Sequence, residues 1–179
     1  MIPALRGDPV AAARALLGRL LVSTRGGVRV AVRLTEVEAY GGADDPASHA
    51  FSGETPRNRT MFGPPGRLYV YRSYGIHWCA NVVCGPVGSP AAVLLRGGRP
   101  VVGMAEMVKR RGRADHIADG PGRLCEALGI TALDDGVDLS SGRVRLVGRA
   151  LPGTIVASPR IGISRAQDRP WRFVWRVVA

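Results

Sequence analysis

At 179 residues and 46% hydrophobic content, the chain is long enough to bury one core and too short for two comfortable ones. Its ordinary apolar content and lack of low-complexity tracts exclude a disordered or fibrous protein, and no run of about 18 apolar residues is present to cross a membrane as a helix. Twenty-five basic residues face 14 acidic ones for a net charge of +11, and every basic residue except Lys109 is arginine.

The charge suits a phosphate-bearing partner, although a basic surface that binds nothing is equally consistent with it. The first stretch, MIPALRGDPVAAARALLG, lacks the charged and apolar regions of a secretory signal, so a soluble cytoplasmic protein is expected. Cys79, Cys84 and Cys125 make an odd count without a Cys-x-x-Cys pair. His77, Cys79 and Cys84 lie close together but lack a fourth ligand at sensible spacing, so buried strand cysteines are expected and no metal site.

Asp8-Pro9 predicts a helix start, with Asp as N-cap and Pro at the first helical position, and VAAARALLG continues it to Gly18. Residues 27–40, GVRVAVRLTEVEAY, alternate with period two. A strand with Val30, Val32, Leu34, Glu36, Glu38 and Tyr40 on one face is therefore expected. Residues 41–67 form a long irregular segment rich in Gly, Pro, Asp and Ser, with His49 and the cluster Arg57-Asn58-Arg59. Loops of that length in a compact domain are usually functional or disordered.

LYVY and IHWCANVV flank a turn at Tyr74-Gly75, which predicts a β-hairpin, and AAVLLR predicts a strand ending at Arg96. Residues 99–112 predict a helix with cations in its last turn, and 119–130 a second. GRVRLVGR, GTIVASPRIGI and WRFVWRVV predict strands between Gly, Pro and Asp. These elements predict an α+β domain around a largely antiparallel sheet.

Glu38 is the first candidate for chemistry, because an ionised carboxylate on the inward face of a strand is costly unless paired or functional. Glu36 shares its face, about 7 Å away, so the two could divide acid and base duties in cleaving a glycosidic bond. Pairing of both with the abundant arginines is the alternative. The chain's four tyrosines, Tyr40, Tyr69, Tyr71 and Tyr74, all fall near Glu38 or the hairpin, where they could sandwich a flat ring. An enzyme acting on a base inside a duplex must extrude it, and a wedge at a hairpin tip can fill the gap.

With these residues in view, TEVEAYGGADDPASHA, TPRNRTMFGPPGRLYVYRSYGIHWCANVV, AAVLLR and GPGRLCEALGI together resemble the alkyladenine, or 3-methyladenine, DNA glycosylase family. The resemblance runs in order over nearly the whole chain, which is far more specific than one short motif. It implies a single glycosylase domain over residues 1–179, α+β, on a curved, largely antiparallel sheet with flanking helices and a protruding β-hairpin.

The resemblance implies base-excision repair of alkylated or otherwise damaged purines, with double-stranded DNA as partner, no cofactor, no metal, no membrane, and a monomer as the working form. Glu38 would activate water for attack on the sugar, with Arg96 helping to hold it. Tyr40, His49 and Tyr71 would enclose the flipped base, Asn81 would discriminate at the pocket floor, and Tyr74 would enter the duplex. Arg57, Arg59, Tyr69 and Arg72 would contact DNA. His77 departs from the aromatic residue of the vertebrate enzyme, which bears on groove contacts. A lone lysine at a predicted helix end leaves no obvious amine for a Schiff base, so a water-using, monofunctional enzyme is expected. A silent duplex-binding module and a hydrolase of free nucleosides are the rival readings.

Overall fold

A computed structural model of the chain describes residues 2–177. Helix α1 (Pro9–Leu16) starts as its sequence demands: the Asp8 carboxylate accepts from the amides of Val10 and Ala11 at 3.0 and 2.8 Å, and Pro9 fills the first helical position. Eight strands then form one antiparallel sheet. β1 (Leu20–Arg25), β2 (Val28–Tyr40), β3 (Leu68–Ser73), β4 (His77–Cys84), β5 (Ala91–Val102) and β6 (Val144–Val147) lie in the order β3-β4-β5-β2-β1-β6. β7 (Thr154–Ser158) pairs with β8 (Arg172–Arg176), and β8 pairs with Glu36–Glu38 of β2, alongside the part of that strand that β1 does not reach.

Helices α1, α2 (Met104–Arg111) and α3 (Pro121–Leu128) all contribute to one continuous core on one face of the sheet. Ala12, Leu16, Met107, Leu124 and Leu128 meet Val30, Val32, Leu34, Val82, Val93 and Leu95 there. A smaller apolar cluster of Ala50, Met61, Tyr69, Val83 and Ala92, with Phe62 and Tyr71 against it, lies on the opposite face under the irregular segment. Both faces of the sheet are thus covered, one by the helices over the main core and the other by the irregular segment around a cavity.

Three expectations change. LLVSTR, unassigned from sequence, is the strand β1. Residues 99–102 extend β5 instead of opening α2, because the β-branched Val101 and Val102 suit a strand and Gly103 breaks it at φ 77°. The segment GTIVASPRIGI leaves the sheet after Ser158, and Ile161 to Arg165 line the cavity. The hairpin of β3 and β4 forms as expected, with Leu68–Ser73 against His77–Val82.

Candidate active site

The strand β2 does not keep one phase. Leu34 faces Gly98 of β5 and Glu36 faces Gly97, so Thr35 is an extra residue, a β-bulge. Across the ladder, Glu36 pairs with Gly97 and Val37 with Leu95, which leaves Arg96 as a second extra residue. A one-residue shift turns every following side chain to the other face. Val30, Val32 and Leu34 point into the helix-covered core, and beyond the bulge Val37 and Ala39 do so. Glu36, Glu38 and Tyr40 therefore do not share a face with Val30, Val32 and Leu34; they sit on the cavity side with the bulged Arg96.

Glu38 has no exposed surface, and its two oxygens are held by three donors. The Ile161 amide donates to Oε1 at 2.8 Å, while the Tyr40 hydroxyl at 2.9 Å and Arg96 Nη1 at 3.4 Å donate to Oε2. Tyr40, Arg96 and Ile161 line a cavity of about 720 Å³, so Glu38 lies one layer behind its wall. Glu36 accepts from Arg96 Nε at 3.0 Å and Arg172 Nε at 2.7 Å. Bonds from two guanidiniums to one carboxylate oxygen make Glu36 an anchor that aims Arg96. Burial, then the charge of Glu38 and the bond to it, push the Tyr40 phenol far above its ordinary range, so it stays a donor.

The aromatic wall comes from β3 and from the irregular segment. Tyr69 and Tyr71, two residues apart on one strand face, stack with centroids 5.5 Å apart. His49 meets the Tyr71 ring edge-on at 4.4 Å, and its Nδ1 lies 3.0 Å from the Tyr69 hydroxyl. Burial, then the nearby Arg57 charge, lower the His49 pKa from 6.5, which keeps the ring neutral at pH 7. Burial also raises Tyr69 to about 12 and Tyr71 further.

Asn58 anchors the segment that carries His49. Its side chain, 2% exposed, donates to the carbonyls of His49 and Gly53 at 2.8 and 2.9 Å and accepts from the Thr55 amide and hydroxyl at 2.6 and 3.0 Å. Upstream, Asp45 accepts from the amides of Gly41 and Ala47 and pairs with Arg160. Sequence reasoning does not single out Asn58, Asp45, Arg160 or Ile161 as functional. A buried Asn in a loop between Arg57 and Arg59 carries a weak signal; a partner 115 residues away carries none.

The remaining expected residues divide between pocket and rim. Asn81 is buried on β4, donates to the Tyr69 carbonyl at 3.2 Å, and lines the cavity. Arg57 and Arg72 stand exposed beside it, the first over the Tyr71 ring at 5.5 Å and the second over Trp78 at 5.6 Å. Arg59 is exposed, pairs with Glu54 at 3.2 Å, and is not part of the cavity wall. Tyr69, placed among the DNA contacts from sequence, is 1% exposed and supports His49 from beneath. Tyr74 is 85% exposed at the hairpin tip with φ 49°, a left-handed conformation that a tyrosine adopts only at a cost.

A buried carboxylate behind an aromatic, basic-rimmed cavity, with an exposed aromatic side chain at its edge, has the composition that a hydrolase acting beside a flat ring would need. The comparisons with known proteins make that class specific. The family model for methylpurine-DNA glycosylase matches residues 4–178. A relative from Nitrosospira multiformis is 52% identical over 90% of this chain and 82% of its own, and one from Mycobacterium tuberculosis is 52% identical over 92% and 84%. A third, from Rhodopseudomonas palustris, is 52% identical over 86% of this chain and 73% of its own. All three carry the name "Putative 3-methyladenine DNA glycosylase". The chain belongs to the methylpurine-DNA glycosylase family, a family of DNA repair hydrolases.

Proposed function

We propose that the protein flips an alkylated purine out of duplex DNA into the cavity and hydrolyses its N-glycosidic bond with water activated by Glu38, leaving an abasic site. The observation that carries this reading is the hydrogen-bonding of Glu38. A carboxylate has about four acceptor positions, and three donors leave one, on Oε1, for a water proton.

The acid half of a two-carboxylate mechanism has no candidate, since Glu36 is neutralised by Arg96 and Arg172. A substrate that is already cationic needs none, because 3-methyladenine and 7-methylguanine leave as neutral bases. Tyr40 and Tyr71 would stack on such an electron-poor ring favourably, and a neutral His49 adds no repulsion. Hypoxanthine and ethenoadenine, uncharged, would be released more slowly. Tyr74 would occupy the vacated space in the duplex, Asn81 would test the base at the pocket floor, and Arg57, Arg72 and the exposed arginines would hold phosphates. Lys109, the sole lysine, is exposed on α2 and is not part of the cavity wall, which supports a reaction through water alone.

The test is a release assay on duplexes carrying 7-methylguanine, hypoxanthine or ethenoadenine, with Glu38→Gln alongside. The wild-type protein should free the base and leave the strand uncut until alkali is added. Glu38→Gln should keep duplex binding and lose about 10²–10⁴-fold in rate, the range for a general base. Binding without release would favour the silent module. Equal release from free nucleosides would favour the nucleoside hydrolase.

A further inference from the structure

Behind Tyr40, Arg160 and Asp45 form an ion pair with no exposed side-chain surface, with bonds of 2.6 and 2.9 Å. The guanidinium also donates to the carbonyls of Ala39 at 3.1 Å and Ala166 at 3.3 Å, and its carbon lies 4.7 Å from the Tyr40 ring centre and 5.3 Å from that of Trp171. Burial alone would raise the Asp45 pKa, but the bonds from Arg160 and the Gly41 amide outweigh it and hold the carboxyl below its ordinary value. A buried ion pair of this kind seldom adds more stability than well-packed apolar residues would. Its value here is geometric. Arg160 precedes the residue whose amide grips Glu38, and it lies against the ring whose hydroxyl grips the other oxygen.

We propose that Arg160 and Asp45 are positioning residues for Glu38, a role that rests on the catalytic reading of that carboxylate. Arg160 joins the carbonyls of Ala39 and Ala166 and so fixes the Ile161 amide on Oε1. It also holds the Tyr40 ring in the plane that keeps its hydroxyl on Oε2. Asp45 fixes Arg160 and, through the amides of Gly41 and Ala47, the start of the segment leading to His49. One buried pair thereby sets the carboxylate and the stacking wall relative to each other.

The experiment measures the excision rate constant with enzyme in excess over a 7-methylguanine duplex, separately from the dissociation constant, for Arg160→Gln, Asp45→Asn, Arg160→Lys and Glu38→Gln. Rate constants measured this way do not depend on the active fraction. Arg160→Gln and Asp45→Asn should lose about 100-fold in rate, the scale for a small displacement of a catalytic group, with duplex affinity within about threefold. Arg160→Lys keeps the charge but not the planar fork; it should recover melting temperature without recovering rate. If Arg160→Gln fails to fold, Arg160→Lys and Asp45→Asn carry the test below their melting temperatures. A folded Arg160→Lys or Asp45→Asn with the wild-type rate constant overturns the positioning role, provided Glu38→Gln is inactive. An active Glu38→Gln would instead remove the catalytic reading of Glu38.

Discussion

On the helix-covered face of the sheet, Val37 and Ala39 have no exposed surface and belong to the continuous apolar core. One residue along the same strand, Glu36, Glu38 and Tyr40 are tied to Arg172, Arg96, Ile161 and each other. The first face is held by area and volume, so changes of similar size are tolerated and deletions cost in proportion to the void. The second is held by particular donors and acceptors, where removing one partner leaves a buried charge uncompensated. Adjacent residues of one strand therefore answer to different physics, and the bulge at Thr35 decides which answers to which.

The largest test is deletion of Thr35. Without the extra residue, Glu36 and Glu38 would turn into the apolar core and Val37 and Ala39 towards the cavity, so the variant should show no cooperative thermal transition. A well-folded deletion variant would show that the bulge does not set the phase. Next in size is Leu95→Ala, on the core face beside Arg96. It should cost about 2–5 kcal/mol in urea unfolding and leave the single-turnover rate of the folded protein intact. Glu38→Gln should abolish base release whatever its stability, and a Leu95→Ala variant that lost the single-turnover rate as well would erase the contrast between the faces.

A smaller effect is expected at the hairpin tip. Tyr74→Gly relieves the left-handed φ of 49° and should raise stability by about 1 kcal/mol, while slowing base extrusion measured by a fluorescent base analogue in the duplex. A destabilised Tyr74→Gly would mean that the ring packs where the structure leaves it exposed. The smallest concerns pH. The unfolded chain protonates His49 near 6.5 and the folded chain only at lower pH, so this residue costs no stability above 6.5 and some below it, as pH falls towards the folded value. Replacement by Gln should flatten that part of the urea midpoint against pH; an unchanged slope would assign it to another group.

Much of the sheet is legible in the sequence because alternation and turn residues are local. The hairpin, His49, Tyr71, Asn81 and Arg96, picked out in the sequence, lie around one cavity, with Glu38 behind its wall. Simple alternation gives the wrong phase for the end of β2 although a signal is present: Thr35 and Glu36 are consecutive polar residues in an otherwise alternating run. The end of β5 resembles a helix start because cations and Met dominate residues 104–111, while two valines and Gly103 mark the true boundary. The Arg160–Asp45 pair and the Ile161 amide are not legible, since long-range pairing of common residues leaves no pattern in the chain, and an amide bond to a side chain leaves none at all.

The concealment of Glu38 has a chemical consequence outside the reaction. Glu54 and Asp168 are open to water, whereas Glu38 exposes no surface to it. A water-soluble carboxyl-modifying reagent will therefore consume the surface acids before it reaches Glu38. The carboxylate proposed to activate water is thus, with Asp45, one of two acids beside the cavity that show no surface in the resting protein, its oxygens occupied by three donors.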